Sequence, residues 1–239
     1  MENKHQVHNL IILDESGSMD PIKNTIIQGF NELVQTIQGI EQQFPEQEHF
    51  ITFVSFNGLG HKFLHFLDPA IKLKQINDQS YQPNASTPLF DAMGVSINKL
   101  KQSLQEQKDY NVLVTVLTDG EENASKEFSG NDIKKLIEEL KQNRWTFTYI
   151  GTDHDVEKIA TSLSINNSMV FEKNEADIKR MFMEDQLARS IYSQKIRAKE
   201  DTISNYFNES GANKKTQSPT PSPPPKSGRS LWQRLFGSK

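Results

Sequence analysis

Asp14, Ser16 and Ser18 stand at every second position, directly after the apolar run of residues 7–13. One carboxylate and two hydroxyls at that spacing can be aimed at a single point by a turn at the end of a strand. All three are hard oxygen donors. They suit a divalent cation, and magnesium in particular, which takes an octahedron of oxygens with only a few charged ones. Two later stretches supply candidates for the rest of the set. Thr87 lies in Ser86-Thr87-Pro88, a loop opening a helix, and can present a third hydroxyl. Asp119 lies in Thr118-Asp119-Gly120-Glu121, after the apolar run of residues 110–117. Two carboxylates neutralise Mg2+ formally, neutral hydroxyls leave it electron-poor, and a position left to water can be taken by a carboxylate from another protein. That chemistry is docking rather than turnover.

Competing chemistries need residues that are absent. A calcium-binding EF-hand loop starting at Asp14 needs glycine where Met19 stands and glutamate where Thr25 stands. A serine-hydrolase elbow around Ser16 needs glycine where Asp14 stands. A metal-dependent phosphohydrolase of the haloacid dehalogenase type, using Asp14 with Asp119, is the alternative function. It needs a second aspartate where Ser16 stands. Asp91, in the first turn of the helix after Thr87, is a candidate partner for the Thr87 loop or a favourable charge at a helix N-terminus. Glu121, with Glu122, Asp153 and Asp155, follows strand ends and is expected at the rim, or as solvated loop acids. His61 and His65 share one face of an expected hairpin strand and are read as strand residues rather than ligands. His154 is read as a loop residue.

These residues must be positioned by alternating elements. β-Branched and apolar runs at residues 7–13, 49–56, 62–67, 110–117, 145–150 and 168–171 read as strands. Helical spacing marks residues 22–37, 89–104, 132–142, 156–163 and 178–196. The turn Asn57-Gly58-Leu59-Gly60 makes the third strand antiparallel to the second. The expected fold is a doubly wound α/β sheet, mostly parallel, with helices on both faces and one antiparallel edge strand. Ligands in such folds bind outside the carboxyl ends of the strands where strand order reverses. Asp14 and Asp119 both follow strand ends.

Composition narrows the function. With no cysteine among 239 residues, disulfides, thiolate metal sites and thiol catalysis are excluded. From Gly211 onward there are six basic residues and no acidic one, so residues 1–210 carry 21 basic against 31 acidic groups, a net of −10. An acidic body argues against nucleic acid as its partner. The N-terminus lacks the basic start and apolar core of a secretory signal, and no run approaches the roughly 18–20 apolar residues of a membrane span, so a cytoplasmic protein is expected.

Taken together, the Asp-x-Ser-x-Ser run, Thr87 and Asp119 resemble the metal-ion-dependent adhesion site of the von Willebrand factor A-type domain family, position for position. The wording DESGSM, TPLFDAM and LTDGEEN is most similar to stand-alone bacterial members, and the resemblance spans roughly residues 5–200. It implies one Mg2+, or Mn2+, at the top of the sheet. The Ser16, Ser18 and Thr87 hydroxyls would coordinate it directly or through water, and Asp14 and Asp119 partly through bridging waters. It implies an adaptor engaging an aspartate or glutamate of a protein partner, without enzymatic activity. It also suggests a setting beside AAA+ ATPases, or with kinase and phosphatase components, in bacterial stress-response cassettes.

Residues 1–205 are read as this domain and residues 206–228 as a Pro/Ser-rich linker. Residues 229–239 are read as a short basic-aromatic segment. There Leu231, Trp232, Leu235 and Phe236 would form one apolar face of a two-turn helix. Docking of that face into a protein groove is the favoured reading, with contact to an anionic membrane second.

Overall fold

The computed structural model describes residues 4–152 and 155–207. Asp153, His154, nearly all of the expected linker, and Leu231, Trp232, Leu235 and Phe236 lie outside the described residues. Six strands form one sheet: β1 (His5–Asp14), β2 (Gln47–Asn57), β3 (Gly60–Pro69), β4 (Tyr110–Leu117), β5 (Trp145–Gly151) and β6 (Asn167–Val170). Their order is β3-β2-β1-β4-β5-β6. Every pairing is parallel except β2 with β3. The mostly parallel sheet with an antiparallel edge is therefore as expected.

The antiparallel return follows from local chemistry. Asn57 folds its side chain onto the chain two residues on, accepting from the Leu59 N–H at 2.9 Å. Gly60 then takes φ +140°, a conformation open to glycine. β3 runs longer at both ends than residues 62–67, because register shifts opposite residues 51–54 let the pairing continue past a bulge.

Helices α1 (Lys23–Gln43), α2 (Leu89–Ser103), α3 (Gly130–Lys141), α4 (Val156–Ser162) and α5 (Glu175–Ala198) cover the two faces. Along β1 the side chains alternate between them. Val7, Ile11 and Leu13 pack with α1 and α5, while Leu10 and Ile12 pack with α2, α3 and α4. The first helix starts one residue later than its apolar spacing suggests, because residues Gly17–Ile22, with Pro21 inside, form a 3-10 turn first. No helix among the described residues is long and apolar enough to cross a membrane.

The chain leaves β1 toward β2 on one side and reaches β4 on the other. The reversal of strand order therefore falls between β1 and β4. In register, Leu13 pairs with Leu117, so Asp14 and Thr118 emerge side by side at the carboxyl ends of the two central strands.

Candidate metal centre

Asp14 is fully buried and both of its carboxylate oxygens are engaged. Oδ1 accepts from the Ser16 N–H at 2.7 Å, and Oδ2 accepts from the Thr118 hydroxyl at 2.6 Å. Its carbonyl oxygen accepts from the Tyr81 hydroxyl at 2.7 Å. Burial pushes the Asp14 carboxyl up to about 6. The hydrogen bonds from Thr118 and Ser16 pull it down, and the Asp119 carboxylate adds to the rise. Ser16 Oγ lies 3.1 Å from Ser18 Oγ, and the Ser18 hydroxyl donates to Asp119 Oδ1 at 2.7 Å. The other Asp119 oxygen, Oδ2, is buried and accepts no well-formed hydrogen bond. It lies 2.9 Å from the Lys173 ammonium, a contact in which charge rather than hydrogen-bond geometry dominates.

Thr87 joins this group through Gly120. A Cβ added at Gly120 would sit 3.5 Å from Ser18 Oγ and 3.7 Å from Thr87 Oγ1. Both hydroxyls thus face one small space that glycine leaves open. Ser18 in turn is bonded to Ser16 Oγ and Asp119 Oδ1, and Asp14 fixes the turn that carries the two serines. The donor set fits a hard dication by chemistry: three neutral hydroxyls and two carboxylates, one of which, Asp119, keeps an oxygen whose contact is a lysine ammonium rather than a well-formed hydrogen bond. Among the described residues no three His, Cys, Asp or Glu side chains gather as a metal-holding group, so a site here must rely on hydroxyls.

The supporting loops correct several expectations. Asp91 does not hold the Thr87 loop. Its carboxylate accepts from the N–H groups of Lys126, Glu127 and Phe128 at 2.8–2.9 Å, pinning the segment after β4. Burial raises the Asp91 carboxyl, but these three donors outweigh it and leave it below the usual range. Thr87 is held instead by Asn123, whose Oδ1 accepts from the Thr87 N–H at 2.9 Å while its own N–H donates to the Thr87 carbonyl at 3.2 Å. Glu122 is a loop organiser rather than a rim charge, accepting from Phe90, Ala124 and Ser125 backbone N–H groups and from the Ser125 hydroxyl. Asp155 caps α4. Glu121 is exposed. His65 is tied to Asp68 on its own strand at 2.9 Å and to the Lys74 N–H, beyond the end of that strand, at 3.2 Å.

Four residues close to the set carried no signal at the sequence level. Thr118 sits next to Asp119 and could be found only by knowing which strand end faces Asp14. Tyr81, Asn123 and Lys173 come from separate loops, and nothing in their spacing marks them. Glu15, between two of the ligand candidates, is buried. Its Oε1 accepts from Lys62 Nζ at 2.8 Å and the Gln82 N–H at 2.6 Å. Its carbonyl accepts from the Asn84 N–H at 2.9 Å, and the Gly17 N–H donates to the Ala85 carbonyl at 3.0 Å. The loop carrying Thr87 is thereby stitched to the turn carrying Ser16 and Ser18.

The fold and its switch-point cluster define an α/β domain with a hydroxyl-rich cluster where the strand order reverses. The profile of the von Willebrand factor type A domain matches residues 10–184, and the chain belongs to that family. No curated protein matches it in sequence. Solved structures resemble it in fold. The pilus adhesin SpaC from Lactobacillus rhamnosus GG, in an open conformation, superposes with a TM-score of 0.57 at 13% identity, over 80% of this chain and 31% of that one. The vWF domain of the type V pili tip protein Mfa5 from Porphyromonas gingivalis gives 0.54 at 10% identity, over 83% and 97%. The PilB minor pilin from Streptococcus sanguinis, as its D319A mutant, gives 0.53 at 12% identity, over 84% and 65%. This chain thus spans less than two thirds of the length of the adhesin and the minor pilin.

Proposed function

We propose that this chain is a divalent-metal-dependent protein-binding module, an adaptor rather than an enzyme. Asp14, Ser16, Ser18, Thr87 and Asp119 would hold Mg2+ or Mn2+ at the β1/β4 switch point. The observation that carries this reading is the convergence of Ser18, Thr87 and Asp119, from three separate segments, on the space beside Gly120. A bound dication would supply an electrophilic point for an acidic side chain of a partner. The protein's own part is positional. Asp14 fixes the turn through Ser16 and Thr118, and Asn123 fixes Thr87. Exposed Glu121 would then favour a partner whose acidic residue is flanked by lysine or arginine. The setting we propose is cytoplasmic, beside AAA+ ATPase or kinase and phosphatase components, as in stand-alone bacterial relatives.

Metal addition should raise the melting temperature of the wild type, since a ligand that binds only the folded state stabilises it. An equal rise in an Asp14→Ala, Asp119→Ala double variant would refute the assigned site. A pull-down with the full chain, with and without EDTA, then asks whether partner capture depends on the metal.

A further inference from the structure

We propose that Lys173 is a resident counter-ion of the metal centre, which holds Asp119 in the metal-free state and must be displaced when a dication binds. The inference rests on the metal-binding reading above and adds a residue from outside its ligand set. Lys173 lies between the end of β6 at Val170 and the start of α5 at Glu175. Its ammonium reaches Asp119 Oδ2 at 2.9 Å, an oxygen that has no other polar partner meeting hydrogen-bond geometry. Asp119 is fully buried, so without a cation its charge would be left uncompensated in a low dielectric. Lys173 meets that need from a side chain that is 25% exposed, so its head has a route to solvent.

Two cations cannot share that oxygen at contact distance without strong mutual repulsion. The backbone around Lys173 is anchored, because Phe171 N–H donates to the Gly151 carbonyl at 3.0 Å and Asn174 caps α5. The flexible stem can therefore swing away while the loop and helix stay in place. Metal affinity is then set by a competition within the chain, and Lys173 lowers it.

The test uses the full chain. Mn2+ binding is measured by calorimetry for wild type, Lys173→Met, Lys173→Arg and Asp14→Ala, with urea unfolding in EDTA alongside. Lys173→Met should bind Mn2+ about tenfold tighter or more, while being less stable than wild type in EDTA. Lys173→Arg should stay near wild type in both. A purely structural lysine would lower stability without tightening the metal. Unchanged or weaker Mn2+ binding by Lys173→Met, with Asp14→Ala still abolishing wild-type binding, would overturn the role of Lys173 and leave the site standing. Binding by Lys173→Met alone supports the competition in its strongest form. Absence of binding in both wild type and Lys173→Met overturns the site and this proposal together.

Discussion

Gly120 gives the sharpest test at the level of single side chains. A methyl group there meets Ser18 Oγ and Thr87 Oγ1 at ordinary contact distances, 3.5 and 3.7 Å. Gly120→Ala is therefore expected to fold normally while filling the space the hydroxyls face. Thermal unfolding should give a metal-free melting point close to wild type but little or no rise on adding Mg2+. A full rise would show that the cation sits elsewhere. Asn123 acts differently. Removing its side chain in Asn123→Ala leaves the Thr87 N–H without its acceptor, at a cost of about 1–3 kcal/mol. Metal affinity should fall with it, because Thr87 is no longer fixed, and calorimetry on the same variant reads that loss. Glu121 is exposed, so Glu121→Lys should leave stability unchanged within about 0.5 kcal/mol and alter only association with a partner.

At the scale of elements, α5 is held by polar contacts that its apolar spacing does not reveal. Met183 and Leu187 point outward, 67% and 49% exposed, whereas Asp185 and Arg189 are buried against the sheet. Arg189 donates to Asp185 at 2.8 Å, to Thr115 on β4 at 2.7 Å and to Asn9 on β1 at 3.3 Å, and Tyr206 donates to Asp185 at 3.2 Å. One central cation thus ties α5 to both switch-point strands. Breaking the pair from one side leaves a buried unpaired charge, so Arg189→Met should cost about 3–5 kcal/mol. Replacing both partners, as in Asp185→Leu with Arg189→Met, should cost markedly less than the single change, and urea denaturation of the two variants decides it. The same helix approaches α1 closely. A Cβ at Gly29 would lie 2.0 Å from the Phe182 ring, so Gly29→Ala must push that ring aside.

For the whole molecule, buried imidazoles set the response to acid. His8 and His49 are both lowered to about 4, chiefly by burial. Around His8, Gln107 offsets part of the shift and His5 adds to it, while Arg189, His5 and His8 add to that of His49. Between their unfolded value, about 6.5, and 4, the unfolded chain binds protons the folded one refuses. Stability from these groups is therefore complete above the unfolded value and is lost as pH falls toward 4. Asp14, raised to about 6, runs the other way and gains stability as pH falls through its shifted range, but one carboxyl opposes two histidines. His8 stacks on Phe50 at 5.1 Å and meets Tyr110 edge-on at 5.7 Å, and neither ring nitrogen makes a well-formed hydrogen bond. His8→Phe keeps that packing and removes the proton site. Its stability gain over wild type should be larger at pH 5 than at pH 7.5 by roughly 2 kcal/mol, measured by urea unfolding at both. An equal difference at the two values would place the acid sensitivity on other groups.

How much was legible follows from what is local. Strand and helix order and the hairpin at Asn57–Gly60 could be read from the chain, because periodicity and turn chemistry act between neighbours, whereas the candidate set Asp14, Ser16, Ser18, Thr87 and Asp119 rests on donor type, spacing and the family resemblance. Glu122 and Asp91 misled for the opposite reason. An acidic side chain has the same sequence appearance whether it is solvated or bonded to backbone N–H groups from elsewhere. Only the tertiary structure decided that Thr118 backs Asp14, that Asn123 rather than Asp91 fixes Thr87, and that Arg189 reaches across to Asn9. It alone brought Lys173, 54 positions beyond Asp119, onto that carboxylate. Such contacts join segments far apart in sequence. They exist only once the sheet has closed its order around β1 and β4, and no spacing rule encodes them.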